Sequence, residues 1–128
     1  MLTADSKCAV TTMIFDDIYQ IILERKKNPT TGSYVSSLLS KGKDDILKKI
    51  GEESIEVIIA SKTGDKEQII DEMADLWFHC LVLMADEGVS HEEVFAELRG
   101  RFGKKGKRDG GLFVLQNSLK EGPGKDHL

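Results

Sequence analysis

Apolar side chains recur three or four positions apart along most of this chain, which is the spacing of one face of an α-helix. No segment alternates apolar and polar residues as a half-buried strand would. The chain is therefore predicted to be all-α, an antiparallel bundle of about five helices, because the connections between helical segments are short. The helices are expected over residues of about 15–27, 33–40, 44–62, 65–87 and 90–101.

Capping residues mark where several of these helices begin and end. Ser33 is placed as the N-cap of the second helix and Gly42 as its stop. Asp65 and Gln68 have the spacing of a capping box, in which each side chain satisfies a backbone N–H of the other residue. Gly88 predicts the end of the fourth helix.

The fourth predicted helix is apolar nearly all round, apart from Asp71, an acidic stripe and His79. Trp77, Phe78 and the Leu and Met residues of this helix are interpreted as core. Such a helix must be buried on most sides, and one chain with two long helices cannot easily surround it. We expect a homodimer, or a dimer of dimers, that completes the bundle. The alternative is that the short helices pack back onto it.

Length and charge narrow the class of protein. The chain has 128 residues and a formal net charge of −4, and its basic residues gather on no helix face, so one domain without a nucleic-acid partner is expected. The apolar stretch 76–85 is too short to span a bilayer and no signal peptide opens the chain, so a cytoplasmic protein without a membrane partner is expected. The predicted organisation is a mobile leader over 1–12, a helical domain over 13–102 and a Gly/Lys-rich tail over 103–128. The tail is interpreted either as a segment that wraps phosphates or as a partly disordered end.

Four carboxylates in two i, i+3 pairs are the candidate chemical site. If the third and fourth helices fold back on each other near Gly64, residues whose numbers sum to 128 lie level, so Glu53 faces Asp75 and Glu56 faces Glu72. A helix rises ~1.5 Å per residue, so the two levels are only ~4.5 Å apart along the axis. Helical projection places these acids among apolar positions, unlike the charges of a solvated face.

Such a group of acids needs compensation, because like charges ~4 Å apart repel by ~1 kcal/mol in water and ~4 kcal/mol at the effective dielectric of a protein surface. A bound cation between the acids offsets this repulsion. Oxygen-only ligands select Mg²⁺ first and Mn²⁺ next, and no Cys or His pair has zinc-ligand spacing. Di-iron bundles need Glu-x-x-His, whereas His79 lies four residues after Asp75, which argues against iron.

Neighbouring residues have two interpretations each. Lys49 either contacts a phosphate or tunes Glu53 through an i, i+4 pair. Glu52 borders the same face, either as a general base or outer ligand or as an exposed helix acid. His79 either supports a carboxylate from behind or is a satisfied core histidine. The candidate catalytic residues are therefore Glu52, Glu53 and Lys49.

Three segments of the chain resemble a known family. They are Ser33-Tyr34, the run Lys-Lys-Ile-Gly-Glu-Glu over 48–53, and residues 71–79. They resemble the phosphoribosyl-ATP pyrophosphohydrolase family of histidine biosynthesis, within the MazG-like all-α nucleoside triphosphate pyrophosphatases. The signature of that superfamily is E-E-x-x-E, a spacer, then E-x-x-D. It is met here by Glu52, Glu53, Glu56, Glu72 and Asp75.

The resemblance, which covers about residues 14–102, implies Mg²⁺-dependent hydrolysis of the α–β phosphoanhydride of phosphoribosyl-ATP to phosphoribosyl-AMP and pyrophosphate. It implies metal ligation by the four acids of the two i, i+3 pairs, and a dimer or higher assembly. It also implies that Ser33, Tyr34 and Lys49 lie near substrate. The chain departs from the family pattern after Phe102. The alternatives are a (d)NTP pyrophosphatase of the same superfamily and a non-catalytic helical interaction module.

Overall fold

The computed structural model describes residues 4–102, with side chains described from Met13 onward. Within this range all regular structure is helical, which confirms the all-α prediction. The five helices are α1 (Ala4–Lys27), α2 (Tyr34–Lys41), α3 (Lys43–Thr63), α4 (Lys66–Glu87) and α5 (His91–Phe102). The chain divides into two compact units after His91, so that α1–α4 lie in the first unit and nearly all of α5 lies in the second. No described helix is long and apolar enough to cross a membrane.

The first helix begins at Ala4, earlier than the predicted start near residue 15. The run from Ala4 to Val10 contains no Gly or Pro, so nothing in its sequence ends the helix before that point. The predicted mobile leader over 1–12 and the tail over 103–128 lie outside the residues whose side chains are described. Both stay predictions.

Most helix boundaries match the capping residues. The Ser33 side chain accepts a hydrogen bond from the Ser36 N–H at 3.2 Å and the Asp65 side chain accepts one from the Gln68 N–H at 3.1 Å. Gly64 ends α3 with φ 76°, a left-handed conformation that costs glycine little, and so allows α4 to start after two residues. The two long helices therefore form a hairpin, as predicted.

The core of the first unit lies where α1, α2, α3 and α4 meet. Ile22, Ile46 and Val82 are fully buried. The other buried apolar residues around them are Tyr19, Leu38, Leu81 and Ala85. At one end the Tyr19 hydroxyl donates to the Val89 carbonyl at 2.6 Å, and Lys26 Nζ donates to the Ala85 carbonyl at 2.9 Å. These hydrogen bonds hold α1 against the end of α4, so α1 packs against one side of the hairpin.

The prediction that Trp77 belongs to the core is wrong for the single chain. Trp77 is 54% exposed, whereas Phe78 is half-buried and packs against the core. Trp77 belongs to two stripes of exposed apolar side chains, one on each helix of the hairpin, which we call the hairpin stripes. Their members are Ile55, Ile58 and Ile59 on α3, and Ile70, Met73 and Trp77 on α4. The apolar character of α4 thus reaches solvent on the side that α1–α3 leave uncovered.

Candidate active site

The two predicted levels of carboxylates meet across the α3–α4 hairpin. The pKa of Glu72 is raised, first because its carboxyl shares a hydrogen bond with that of Glu56 and second because of burial. The pKa of Glu53 is raised chiefly by burial, and the nearby charge of Asp75 raises it further. Glu56 therefore lies beside Glu72, and Asp75 lies close to Glu53, which confirms the geometry derived from residue numbers alone.

Burial divides the four acids into an inner and an outer pair. Glu53 is 7% exposed and Glu72 is 8% exposed, so both lie inside the apolar arcs as predicted. Glu56 and Asp75 are exposed. The group thus has one buried and one open acid at each level. This arrangement leaves the outer oxygens accessible to a ligand that approaches from solvent.

His79 connects the inner acids to α2. Its Nε2 lies 2.7 Å from the Tyr34 hydroxyl, and its Nδ1 lies 2.9 Å from the Asp75 backbone carbonyl in hydrogen-bonding geometry. The same Nδ1 is 2.6 Å from Glu53 Oε1. The imidazole lowers the pKa of Glu53 through this close contact, although burial raises it more. Both interpretations of His79 hold: it is buried and satisfied, and it touches a carboxylate of the site.

The acid group fits a bound cation. Glu53 Oε1 is a buried oxygen without an aligned hydrogen bond, and its near neighbour is His79 Nδ1 at 2.6 Å, so this oxygen keeps acceptor capacity for a cation. Glu56 acts on Glu72, and Asp75 acts on Glu53, as a nearby negative charge. This repulsion between carboxylates also favours a positive charge between them. The donors are all carboxylate oxygens, which suits a hard cation such as Mg²⁺. The donor chemistry therefore suits the metal that the sequence predicts, although no three of these four acids bring ligand oxygens within 4.8 Å of one another in the metal-free chain.

A further residue at the site was assigned another role from sequence. The Gln68 side chain donates to Glu72 Oε2 at 2.8 Å. The capping box is therefore only half correct: Asp65 caps α4, but Gln68 points along the helix to an acid one turn later. The i, i+4 spacing of Gln68 and Glu72 is the sequence signal that identifies this contact. Gln68 holds one oxygen of the inner acid in place.

Comparison with known proteins agrees with this arrangement. A family model described as phosphoribosyl-ATP pyrophosphohydrolase matches residues 15–102. A phosphoribosyl-ATP pyrophosphatase of Geotalea daltonii is 53% identical over 93 residues, which cover 73% of this chain and 88% of that protein. One of Bacillus mycoides is 54% identical over 87 residues, which cover 68% of this chain and 81% of that protein. The chain belongs to the phosphoribosyl-ATP pyrophosphohydrolase family. All four acids lie inside the matched range, whereas the divergent tail lies outside it.

The other residues that the family resemblance places near substrate lie on α2 and α3. Ser33 is the N-cap of α2, so its hydroxyl oxygen already accepts a backbone hydrogen bond. The Tyr34 side chain is 49% exposed. Its partial burial raises its pKa, and the nearby charge of Lys49 lowers it by less. Lys49 Nζ lies 3.8 Å from Glu52 Oε1, and both side chains are about half exposed. Lys49, one turn before Glu53 on α3, therefore forms an ion pair with Glu52. Its charge also lowers the pKa of Glu53, although by less than His79 does.

An open cavity of about 250 Å³ lies between α2 and α3. Its lining includes Tyr34 and Lys41 from α2, and Asp45, Lys48 and Glu52 from α3. No sequence pattern indicated this cavity, because Lys48 lies away from the apolar arc of its own helix. Only the position of α2 beside α3 turns that lysine toward a cavity. Tyr34, Lys49 and Glu52 also line this cavity, so it adjoins the candidate active site.

The raised acid pKa values predict how the metal-free protein responds to pH. An acid whose pKa is higher in the folded than in the unfolded chain stabilises the fold when protonated, and this stability is lost as pH rises through the folded pKa. Glu53 and Glu72 both shift in this direction. We expect thermal denaturation in a chelator to give a higher midpoint at about pH 5 than at about pH 7.5. The Glu72→Gln variant is expected to show a smaller difference, and an identical pH response in both proteins would contradict this account.

Proposed function

We propose that this chain hydrolyses the α–β phosphoanhydride of phosphoribosyl-ATP and releases phosphoribosyl-AMP and pyrophosphate, as the names of its relatives indicate for those proteins. The observation that carries the proposal is the two-level group of Glu53, Glu56, Glu72 and Asp75 in a chain of this family. A reaction that starts from a soluble nucleotide also suits the expected cytoplasmic location.

The proposed cofactor is Mg²⁺, with Mn²⁺ as the next choice, held by the same four acids. The chemistry supplied by bound Mg²⁺ is neutralisation of phosphate charge and activation of water toward phosphorus. The support for it is the buried Glu53 oxygen, which keeps acceptor capacity beside His79, and the raised pKa values of the inner acids. His79 and Gln68 restrict the inner acids, so that their oxygens are ordered before the cation arrives.

Residues on the solvent side of the group are proposed to serve the substrate. Glu52 accepts a proton from the attacking water, because it is exposed and one turn from Glu56. Lys49, which pairs with Glu52 at 3.8 Å, contacts the phosphate chain and offsets its charge. The Tyr34 hydroxyl, hydrogen-bonded to His79, borders the substrate. Ser33 orders the start of α2 beneath Tyr34 through its capping bond.

A homodimer is the proposed assembly. The hairpin stripes expose six large apolar side chains on two helices whose opposite faces carry the acids and the core. Large contiguous apolar surfaces are rare on proteins that act as monomers, and these six side chains lie on two neighbouring helices. A second copy of the chain that packs its hairpin against this one covers both sets of stripes at once, because a two-fold interface joins like to like.

The direct test is pyrophosphate release by the purified chain. We expect turnover of phosphoribosyl-ATP in Mg²⁺, its loss in a chelator, and its return when Mg²⁺ or Mn²⁺ is added. A panel of canonical and modified nucleoside triphosphates serves as the control for substrate class. Preferential turnover of a member of that panel would favour the nucleotide pyrophosphatase alternative. Inactivity toward every compound, with no Mg²⁺ bound, would favour the non-catalytic alternative.

A further inference from the structure

The cavity between α2 and α3 adjoins the acid group but is separate from it. Tyr34 lines the cavity, and its hydroxyl reaches His79 Nε2 at 2.7 Å, while His79 Nδ1 lies 2.6 Å from Glu53 Oε1. Lys49 and Glu52 also line it. A molecule whose triphosphate occupies the acid group can therefore extend into the cavity past Tyr34. Its volume of about 250 Å³ is just below the ~300 Å³ at which ligand pockets begin, so it suits one part of a ligand.

The charges of the cavity point to an anion. Lys41 comes from the last turn of α2 and Lys48 from the middle of α3, and both line the same space. Lys49 lines it too, but it already has Glu52 as a partner at 3.8 Å. Lys41 and Lys48 share the lining with one further carboxylate, Asp45, so the cavity keeps a net positive charge that attracts an anion. Lysine is a common point-charge ligand of phosphate, so a phosphate group is the natural occupant.

The remaining polar groups favour a sugar phosphate over a bare phosphate. Asp45 and Ser37 also line the cavity. A carboxylate does not attract a phosphate, but it accepts hydrogen bonds from ribose hydroxyls, as acidic residues do in dinucleotide sites. The Ser37 hydroxyl can donate or accept beside it. Apart from the Lys49–Glu52 pair, the cavity has two lysines and one carboxylate, which match the two ends of a ribose 5-phosphate.

We infer that this cavity binds the phosphoribosyl group of the substrate, with Lys41 and Lys48 on its phosphate and Asp45 on its ribose hydroxyls. The inference rests on the proposed function, because phosphoribosyl-ATP differs from ATP by this group. The four acids and Lys49 serve the triphosphate that both molecules share. Lys41 and Lys48 therefore determine specificity: they distinguish phosphoribosyl-ATP from an ordinary nucleoside triphosphate.

The test compares two substrates and one fragment. Pyrophosphate release by Lys41→Ala, Lys48→Ala and the double variant is measured with phosphoribosyl-ATP and with ATP, in Mg²⁺. A charge-assisted hydrogen bond is worth about a factor of ten or more in affinity, so KM for phosphoribosyl-ATP is expected to rise about tenfold per lysine while kcat changes little. KM for ATP is expected to stay unchanged. Lys62→Ala is the matched control, since it removes an exposed lysine from the last turn of the same α3.

Binding of ribose 5-phosphate to the full chain, followed by calorimetry or NMR, separates this inference from the proposed function. We expect ribose 5-phosphate to bind the wild type and to bind Lys41→Ala and Lys48→Ala more weakly. Asp45→Asn is expected to weaken the binding of ribose 5-phosphate more than the binding of inorganic phosphate. Ribose 5-phosphate that does not bind, or that binds the lysine variants as well as the wild type, overturns the inference even if phosphoribosyl-ATP is hydrolysed. An equal rise of KM for ATP also overturns it, because the lysines then serve the triphosphate. A chain that does not hydrolyse phosphoribosyl-ATP refutes the proposed function, and the fragment titration still decides what the cavity binds.

Discussion

Replacing Glu53 by Gln is expected to remove Mg²⁺ binding and to slow pyrophosphate release from phosphoribosyl-ATP by a factor on the order of 10³. Glutamine keeps the size of the side chain but removes the charge and the ligand oxygen that the structure leaves without a hydrogen-bond partner. The fold is expected to persist. Burial raises the pKa of Glu53, so the charge is unfavourable in the metal-free chain and its loss does not destabilise the fold.

Calorimetric titration with Mg²⁺ and a pyrophosphate assay measure the two effects. A matched pair on α4 controls for the loss of negative charge: Asp75→Asn removes an acid of the group, whereas Asp71→Asn removes an exposed aspartate one turn earlier on the same helix. We expect Asp75→Asn to resemble Glu53→Gln and Asp71→Asn to resemble the wild type. If Glu53→Gln and Asp75→Asn bind Mg²⁺ as the wild type does, the acids are ordinary surface residues and the metal proposal is wrong.

The second large effect is expected from Ile58→Glu in the hairpin stripes. Ile58 is 61% exposed in the single chain, so the substitution does not disturb the core of a monomer. In a two-fold dimer the same change appears twice at the interface, and each unpaired buried charge costs several kcal/mol. We therefore expect dimer dissociation to become easier by a factor of about 10³ or more.

Analytical ultracentrifugation over a range of concentrations tests this. Ile21→Glu is the control, because Ile21 is similarly exposed, at 52%, but lies on α1. The wild type and Ile21→Glu are expected to sediment as dimers, and Ile58→Glu as a folded monomer with its helical content retained. A wild-type chain that is monomeric at assay concentrations refutes the dimer proposal. Dissociation by Ile21→Glu as well would show that the interface is not confined to the hairpin stripes.

Local sequence signals predicted the helices and the acid group well. The side chains of Ser33 and Asp65 cap α2 and α4 as predicted, and Gly64 ends α3 in a left-handed conformation. Capping can be predicted because it depends on residues only three or four positions apart. The pairing of Glu53 with Asp75 and of Glu56 with Glu72 followed from the rise of a helix and a two-residue connection. The metal, its ligands and the roles of Glu52 and Lys49 stay predictions.

Predictions that depended on tertiary contacts, and not on local sequence, were less accurate. Trp77 was assigned to the core because apolar residues surround α4, yet it stays 54% exposed in the single chain, where the Phe15 ring contacts it. Gln68 was assigned to a cap, in which its side-chain oxygen accepts from the Asp65 N–H, but its side-chain N–H donates to Glu72 instead. Lys48 lies away from the apolar arc of α3, and only the placement of α2 brings Lys41 to the same cavity.

The sequence by itself determined which segments are helical, where α2, α3 and α4 begin and end, and that four carboxylates lie on two levels of one hairpin. These features depend on helical periodicity and short-range hydrogen bonds, which repeat identically in any fold. Tertiary structure alone decided that Tyr34 reaches His79, that α2 and α3 enclose a cavity with lysines from both, and that the hairpin stripes stay exposed. These features depend on how α1 and α2 pack against the hairpin to bury Ile22, Leu38 and Ile46, a non-local contact that no spacing along the chain encodes.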